Sequence, residues 1–260
     1  MASGTDWFTT KEGKINGELE NISKGVSPYD YGSDGDVSVR DAIELCQKAY
    51  WNVAIFRSTI DIQTEFSNAK LHFRSPNKRV AKFYEAWYKK INGWAFAEKF
   101  FLEWFRSGNV FIYKFNAELD LSEYKKYTRA ATDKNKIPLR YIILNPVDIQ
   151  CMGASSFLNA KYGKVLNKYE VDRLKTATTK EEKEFLKSLP ENARKDIKRG
   201  AKPLIELTQE DLIAVFCAKQ DYDALAVPMY YPVLADIDLK LEFKKAEKVL
   251  ARTVDQAVLL

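Results

Sequence analysis

The chain has 260 residues, 46% of them hydrophobic and 30% charged, with a net charge of +5. That length can bury a substantial core in one or two domains, and the composition excludes an intrinsically disordered chain. The overall charge lies below what a dedicated nucleic-acid binder carries.

In chain order, residues 1–36 are rich in Gly, Ser, Asp and Asn, and are expected to form a flexible N-terminal arm. They lack the basic-then-apolar form of a signal peptide. Ser38 is placed to cap a helix running to Ile60, because Val39, Ala42, Ile43, Cys46, Ala49, Tyr50, Val53 and Phe56 recur every three or four residues. Leu71 and Phe73 alternate with polar neighbours and predict a strand over Lys70–Arg74, closed by a Ser75-Pro76-Asn77 turn. Val80, Phe83, Tyr84, Trp87, Tyr88 and Ile91 predict a helix over Lys78–Ile91, ended by Asn92-Gly93 in the left-handed manner. A second aromatic helix, Trp94–Arg106, leads through Ser107-Gly108-Asn109 into a strand, Val110–Phe115. Aromatic residues are densest between Phe83 and Phe115, which is expected to mark the core.

Glu118–Ala131 reads as a short helix or an excursion. Leu139–Asn145 is β-rich and limited by Pro146, and Val147–Met152 follows as a further strand. Lys161–Lys202 carries 13 Lys/Arg against 7 Asp/Glu, a local +6, which leaves −1 of the total +5 for the remainder. Lys161–Gly200 is therefore read as a solvated, charged helical stretch, with Thr179 and Glu182 in capping-box spacing and Pro190 at a helix start. Leu204–Leu207 and Leu212–Lys219 read as strands. From Pro232 to Leu260 nothing interrupts a helix whose apolar stripe runs from Leu234 to Val258. It carries no terminal cap, as expected of a partial chain. The fold class is α+β: a flexible arm at 1–36, an α+β domain at 37–229 and a long helix at 230–260.

Catalytic patterns are sparse. His72 stands alone, without the further imidazoles or thiolates of a metal site. Cys46, Cys151 and Cys217 are widely spaced with no Cys-x-x-Cys. They fit a reducing compartment, with Cys46 and Cys217 as small core residues. Asp34-Gly35-Asp36 lacks the spaced acids of a calcium loop, and no Gly-rich loop carries Gly-Lys-Ser/Thr. Asp221, Asp223, Asp236 and Asp238 offer carboxylates, but Asp236 and Asp238 are two apart on a helix and do not share a face. Trp87, Trp94, Trp104, Tyr84, Tyr88 and Phe101 have stacking chemistry, but their helical spacing places them in a core. Lys240, Lys244, Lys248 and Arg252 recur every four residues on the last helix. They are candidates for contact with DNA or with another subunit, interleaved with Asp238, Glu242 and Glu247 as possible ion-pair partners. No catalytic, cofactor-binding or metal-binding residue is assigned, and no apolar run is long enough to span a membrane.

The order of these elements resembles tailed-bacteriophage portal proteins. The segment from Phe100 to Phe115, an aromatic helix with a Gly-Asn break before an apolar strand, is similar to the wing of that family. So are the early helix, the Leu139–Asn145 strand before Pro146, and Leu212–Phe216 followed by Asp221–Pro228 ahead of a long helix. The resemblance covers roughly residues 38–260. It implies a portal-like wing domain of helices on short mixed strands, with the last helix leading toward a stem. It also implies a homo-oligomeric ring, usually a dodecamer, at one capsid vertex of the virion, assembled in the host bacterial cytoplasm. Double-stranded DNA would pass through its channel during packaging and ejection. The major capsid protein, terminase, a head-completion adaptor and scaffold would be partners, with no cofactor and no catalysis. Two other readings remain open: a metal-dependent nuclease of mobile-element origin, and a partner-binding protein whose last helix forms a coiled-coil dimer.

Overall fold

The computed structural model describes residues 38–118, 136–152 and 161–258, except 180–181, 184–185, 188, 209 and 221–222. The expected arm, and the Glu118–Ala131 stretch apart from Glu118 itself, lie outside these residues. The described chain is α+β: seven α-helices and two small antiparallel sheets, ending in a long helix.

Helix α1 (Val39–Asn52) starts at Ser38, whose hydroxyl accepts the Asp41 N–H at 3.2 Å. Its apolar stripe buries Ala42, Ile43, Cys46, Ala49 and Tyr50. The single helix expected to Ile60 is instead broken at Val53, which is extended (φ −114, ψ 107), and α2 (Ala54–Ser67) begins beyond it. The break folds α2 back on α1. Tyr50 Oη donates to Asp61 Oδ1 at 2.7 Å, whereas in an unbroken helix eleven residues rise by roughly 16 Å. Phe56 and Ile60 thereby join Cys46 in one core. The strand expected over Lys70–Arg74 does not form; no described strand pairs with it, and Leu71 is exposed.

Helix α3 (Lys78–Lys90) is capped by Asn77, and Asn92 adopts the left-handed conformation (φ 52) between it and α4 (Gly93–Ser107). The aromatic density marks the core only in part: α3 has no buried residue, whereas Val110, Phe111 and Ile112 are buried. The largest cluster of buried residues lies where α1, α2 and the start of the last helix meet.

Strand β1 (Asn109–Glu118) is the centre of the first sheet, between β2 (Lys136–Leu144) and β6 (Leu212–Phe216), both antiparallel to it. After β2, Pro146–Asp148 forms a 3-10 turn and leads into β3 (Ile149–Met152). The second sheet has the order β3-β4-β5, with β4 (Lys161–Val165) central and β5 (Leu204–Glu206) at its edge. Phe111, Ile149 and Tyr162 join the two sheets, with the Phe111 and Tyr162 rings 5.2 Å apart.

Lys161–Val165 was expected to be helical. It is instead a strand, whose residues Lys-Tyr-Gly-Lys-Val show no apolar–polar alternation to mark it as one. A Cβ on Gly163 would lie 2.7 Å from Met152 Sδ and 2.8 Å from a Leu204 methyl, so a larger residue there would have to push those two side chains aside. The rest of that charged stretch holds α5 (Lys168–Lys175), capped by a reciprocal Asn167–Glu170 pair, and α6 (Glu191–Arg199), entered from Pro190. Val171, Leu174, Leu189, Ala193 and Ile197 pack them together. Thr179 and Glu182 make the expected reciprocal bonds at 3.2 Å each. Helix α7 (Val233–Val258) has 26 residues and is roughly 39 Å long. Its first turns bury Leu234 and Ile237 in the α1–α2 core.

Candidate functional site

The Ser107-Gly108-Asn109 segment is the joint that holds the loop leading into α7. Gly108 ends α4 with a positive φ of 68, where a Cβ would cost about 1–2 kcal/mol. Its carbonyl accepts from Cys217 N at 2.8 Å, tying the joint to the end of β6. Ser107 is fully buried, with its hydroxyl within reach of the Glu103 and Asn109 carbonyls at 2.9 and 2.8 Å.

Asn109 is fully buried and its amide is fully engaged. Nδ2 donates to Ser107 O and to Ala226 O, both at 2.7 Å, and Oδ1 accepts from Ala226 N at 2.8 Å. The side chain thus bonds Ala226 as a neighbouring strand would, through both N–H and C=O. Two residues on, Pro228 is buried, and Tyr231 and Leu234 pack into the core with Ala42, Cys46 and Ala49. The amide therefore fixes the loop from which α7 departs.

Beside this core, α4 carries a half-buried ion pair, Glu103 with Arg106, whose guanidinium lies 5.7 Å from the Tyr50 ring centroid. Burial, and then the Asp61 carboxylate, push the Tyr50 hydroxyl above its usual pKa. Burial alone pushes the Cys46 thiol up to about 12, which makes it a packing residue and not a nucleophile.

Leu241 is the last residue of the helix that packs against the core, and residues 242–253 beyond it are exposed. Leu239, Phe243 and Leu250 are 53%, 62% and 65% exposed. Lys240, Lys244, Lys248 and Arg252 are all exposed on its surface. Each step of four residues turns about 40°, so the four form a gently winding stripe over roughly 18 Å. None of them forms an ion pair with a described residue: Asp238, Glu242 and Glu247 are near in sequence but no bridge closes.

The structure does not gather the other candidates. His72 is exposed on the irregular segment, Asp223 sits in the loop before α7, and Asp236 and Asp238 lie on its first turns. Asp34, Asp36 and Asp221 lie outside the described residues. Among the described residues, no group of three or more His, Cys, Asp or Glu side chains is placed to hold a metal ion. None of the helices searched there is long and apolar enough to cross a membrane. Trp87 is half-buried and donates to Pro138 O at 2.8 Å, Trp104 stacks on Phe100 with centroids 6.0 Å apart, and Trp94 is exposed. The Asn109 role escaped sequence reading because Ala226 is 117 positions away. Its only local sign was a polar residue at the head of an apolar strand.

Among known proteins, no family model matches this sequence, and no curated protein matches it.

Proposed function

We propose that the chain is a structural subunit of a tailed-bacteriophage portal ring. The α+β body at 37–229 is the portal-like wing domain, and 230–260 leads toward the stem. Copies assemble into a ring of about a dozen around a channel for double-stranded DNA. The subunit catalyses nothing and takes no cofactor. Its other partners are the major capsid protein, terminase, a head-completion adaptor and scaffold. It works at the portal vertex of the virion after assembly in the host bacterial cytoplasm.

The observation that carries this reading is the mounting of α7. A buried amide clamp holds the loop before the helix, and most of the helix extends from the body with exposed leucines and a phenylalanine that no described residue covers. Such a surface calls for other copies of the chain. The basic stripe of Lys240, Lys244, Lys248 and Arg252 is then available to the channel or to a neighbouring subunit. The low overall charge suits a conduit along which DNA must slide, because dense phosphate contacts would hold it in place.

A specific feature favours a second reading. Leu239, Phe243, Ala246 and Leu250 are all exposed and recur at spacings of four, three and four, the seam of a two-helix coiled coil. Native mass spectrometry with negative-stain imaging separates the two readings. A ring of about a dozen copies with a central hole supports the portal subunit, whereas a dimer overturns it in favour of the coiled coil.

A further inference from the structure

The second concentration of positive charge is on α3 and the segment before it. Residues 70–90 contain seven Lys/Arg and one acid, Glu85, a local +6, so the remaining 239 residues carry −1 of the total +5. Lys78, Arg79, Lys82, Lys89 and Lys90 lie on α3 itself, and Lys70 and Arg74 precede it. All seven are exposed, and none forms an ion pair with a described residue.

At 100° per residue, the five α3 cations fall within an arc of about 120°, with Glu85 at its edge. The opposite arc is already engaged. Trp87 donates to Pro138 O at 2.8 Å and meets the Tyr141 ring edge-on at 6.2 Å. The Tyr88 ring lies over Gly93 and 5.6 Å from Phe73. A membrane-surface helix needs its apolar face available to insert among lipids; here β2 engages Trp87 and the Tyr88 ring covers Gly93 of α4, so part of that face is already taken. On the side of the helix away from the cations, Tyr84 stacks with Phe73, centroids 6.3 Å apart, and is 47% exposed.

We propose that this face of α3 binds the phosphodiester backbone of nucleic acid. Four of its five α3 cations are lysines, which act as point charges toward phosphate, and the helix has no Asn or Gln to read adenine edges. Binding is therefore electrostatic and indifferent to sequence. The site is separate from the α7 stripe and does not rest on the ring reading. A ring can form with an inert α3, and α3 can bind nucleic acid on a chain of any oligomeric state.

The test is fluorescence anisotropy of a labelled DNA duplex with the purified full chain, titrated with salt from about 50 to about 200 mM. The triple variant Lys78→Gln, Lys82→Gln, Lys89→Gln is compared with a charge-matched variant of the other basic segment, Lys187→Gln, Lys195→Gln, Lys198→Gln. The α3 variant is expected to bind at least about tenfold more weakly at the lowest salt. Its slope of log affinity against log salt should be shallower by about 2.7, and the charge-matched variant should stay close to wild type. Equal losses in both variants would reduce the effect to net charge and overturn the proposal. So would α3-dependent binding to phosphatidylserine–phosphatidylcholine vesicles without binding to duplex. Lysine acetylation of the wild-type protein needs no substitution: duplex should protect Lys78, Lys82 and Lys89, and full reactivity of all three in its presence would equally overturn the site.

Discussion

Asn109 uses both amide N–H donors and its carbonyl on buried backbone, and no other natural side chain of that length offers the same set. Asn109→Ala leaves the buried Ala226 N–H and C=O without the partners that Asn109 supplies, and we expect it to lower stability by about 3 kcal/mol in chemical denaturation. A loss below about 0.5 kcal/mol, typical of an exposed site, would show that the clamp is dispensable. Asn109→Asp should not rescue it, since a carboxylate would face the Ser107 and Ala226 carbonyls with no proton to donate. The buried Cys46 thiol, pushed up to about 12, should resist alkylation at mildly alkaline pH until the protein unfolds. Peptide mapping after iodoacetamide treatment, native against denatured, reads this directly. At Glu182, the hydrogen bond from Arg173, followed by those from Thr179 and Thr178, holds the carboxyl down to about 2 against an ordinary value of 4.5. A depressed carboxyl contributes its stability in full above the ordinary value and loses it as pH falls through the lowered one. The turn at Thr178–Glu182 should therefore hold at neutral pH and loosen between about pH 4.5 and 2, as NMR titration of the carboxyl would record.

At the scale of elements, the ends of α7 differ in kind. Leu234 is fully buried against α1, so Leu234→Ala should cost about 2–5 kcal/mol. Phe243 is exposed in the single chain, so Phe243→Glu should leave the stability of the body within about 0.5 kcal/mol and abolish assembly, read by denaturation and native mass spectrometry. Assembly unaffected by that charge would remove α7 from the subunit contact. Elements with a local signal were legible in the sequence: α1 from its Ser38 cap, α3 and α4 from their aromatic period around Asn92, and α7 from its unbroken length. Those decided by distant neighbours were not. Val53 breaks a stripe whose periodicity continues across it, because the break is fixed by α2 packing back on Tyr50. Leu71 and Phe73 alternate as a strand would, but no strand edge meets them. Lys161–Val165 reads as helical from its charge, and the strands that pair with it, Ile149–Met152 and Leu204–Glu206, leave no mark in its own residues. The joint itself was visible as a Ser-Gly-Asn break, but its partner was not.

Taken whole, the molecule divides its charge unevenly. Two basic stretches, 70–90 and 161–202, each carry +6, and the rest carries −7 of the total +5, so the modest net value concealed both. The sheet order β2-β1-β6 puts the first strand made between a near neighbour and a distant one, and the Asn109 clamp closes only on Ala226, 117 residues later. On a ribosome adding about 5–20 residues per second, that interval lasts roughly ten seconds. Throughout it, β1 carries a bare edge on its β6 side, and Asn109 lacks the backbone it is shaped to hold. A nascent chain halted before Ala226 should thus be cut readily around Ser107–Asn109, and one that has passed Leu234 should resist. Birth order, set by where β6 falls in the sequence, leaves that edge open until Ala226 has been made.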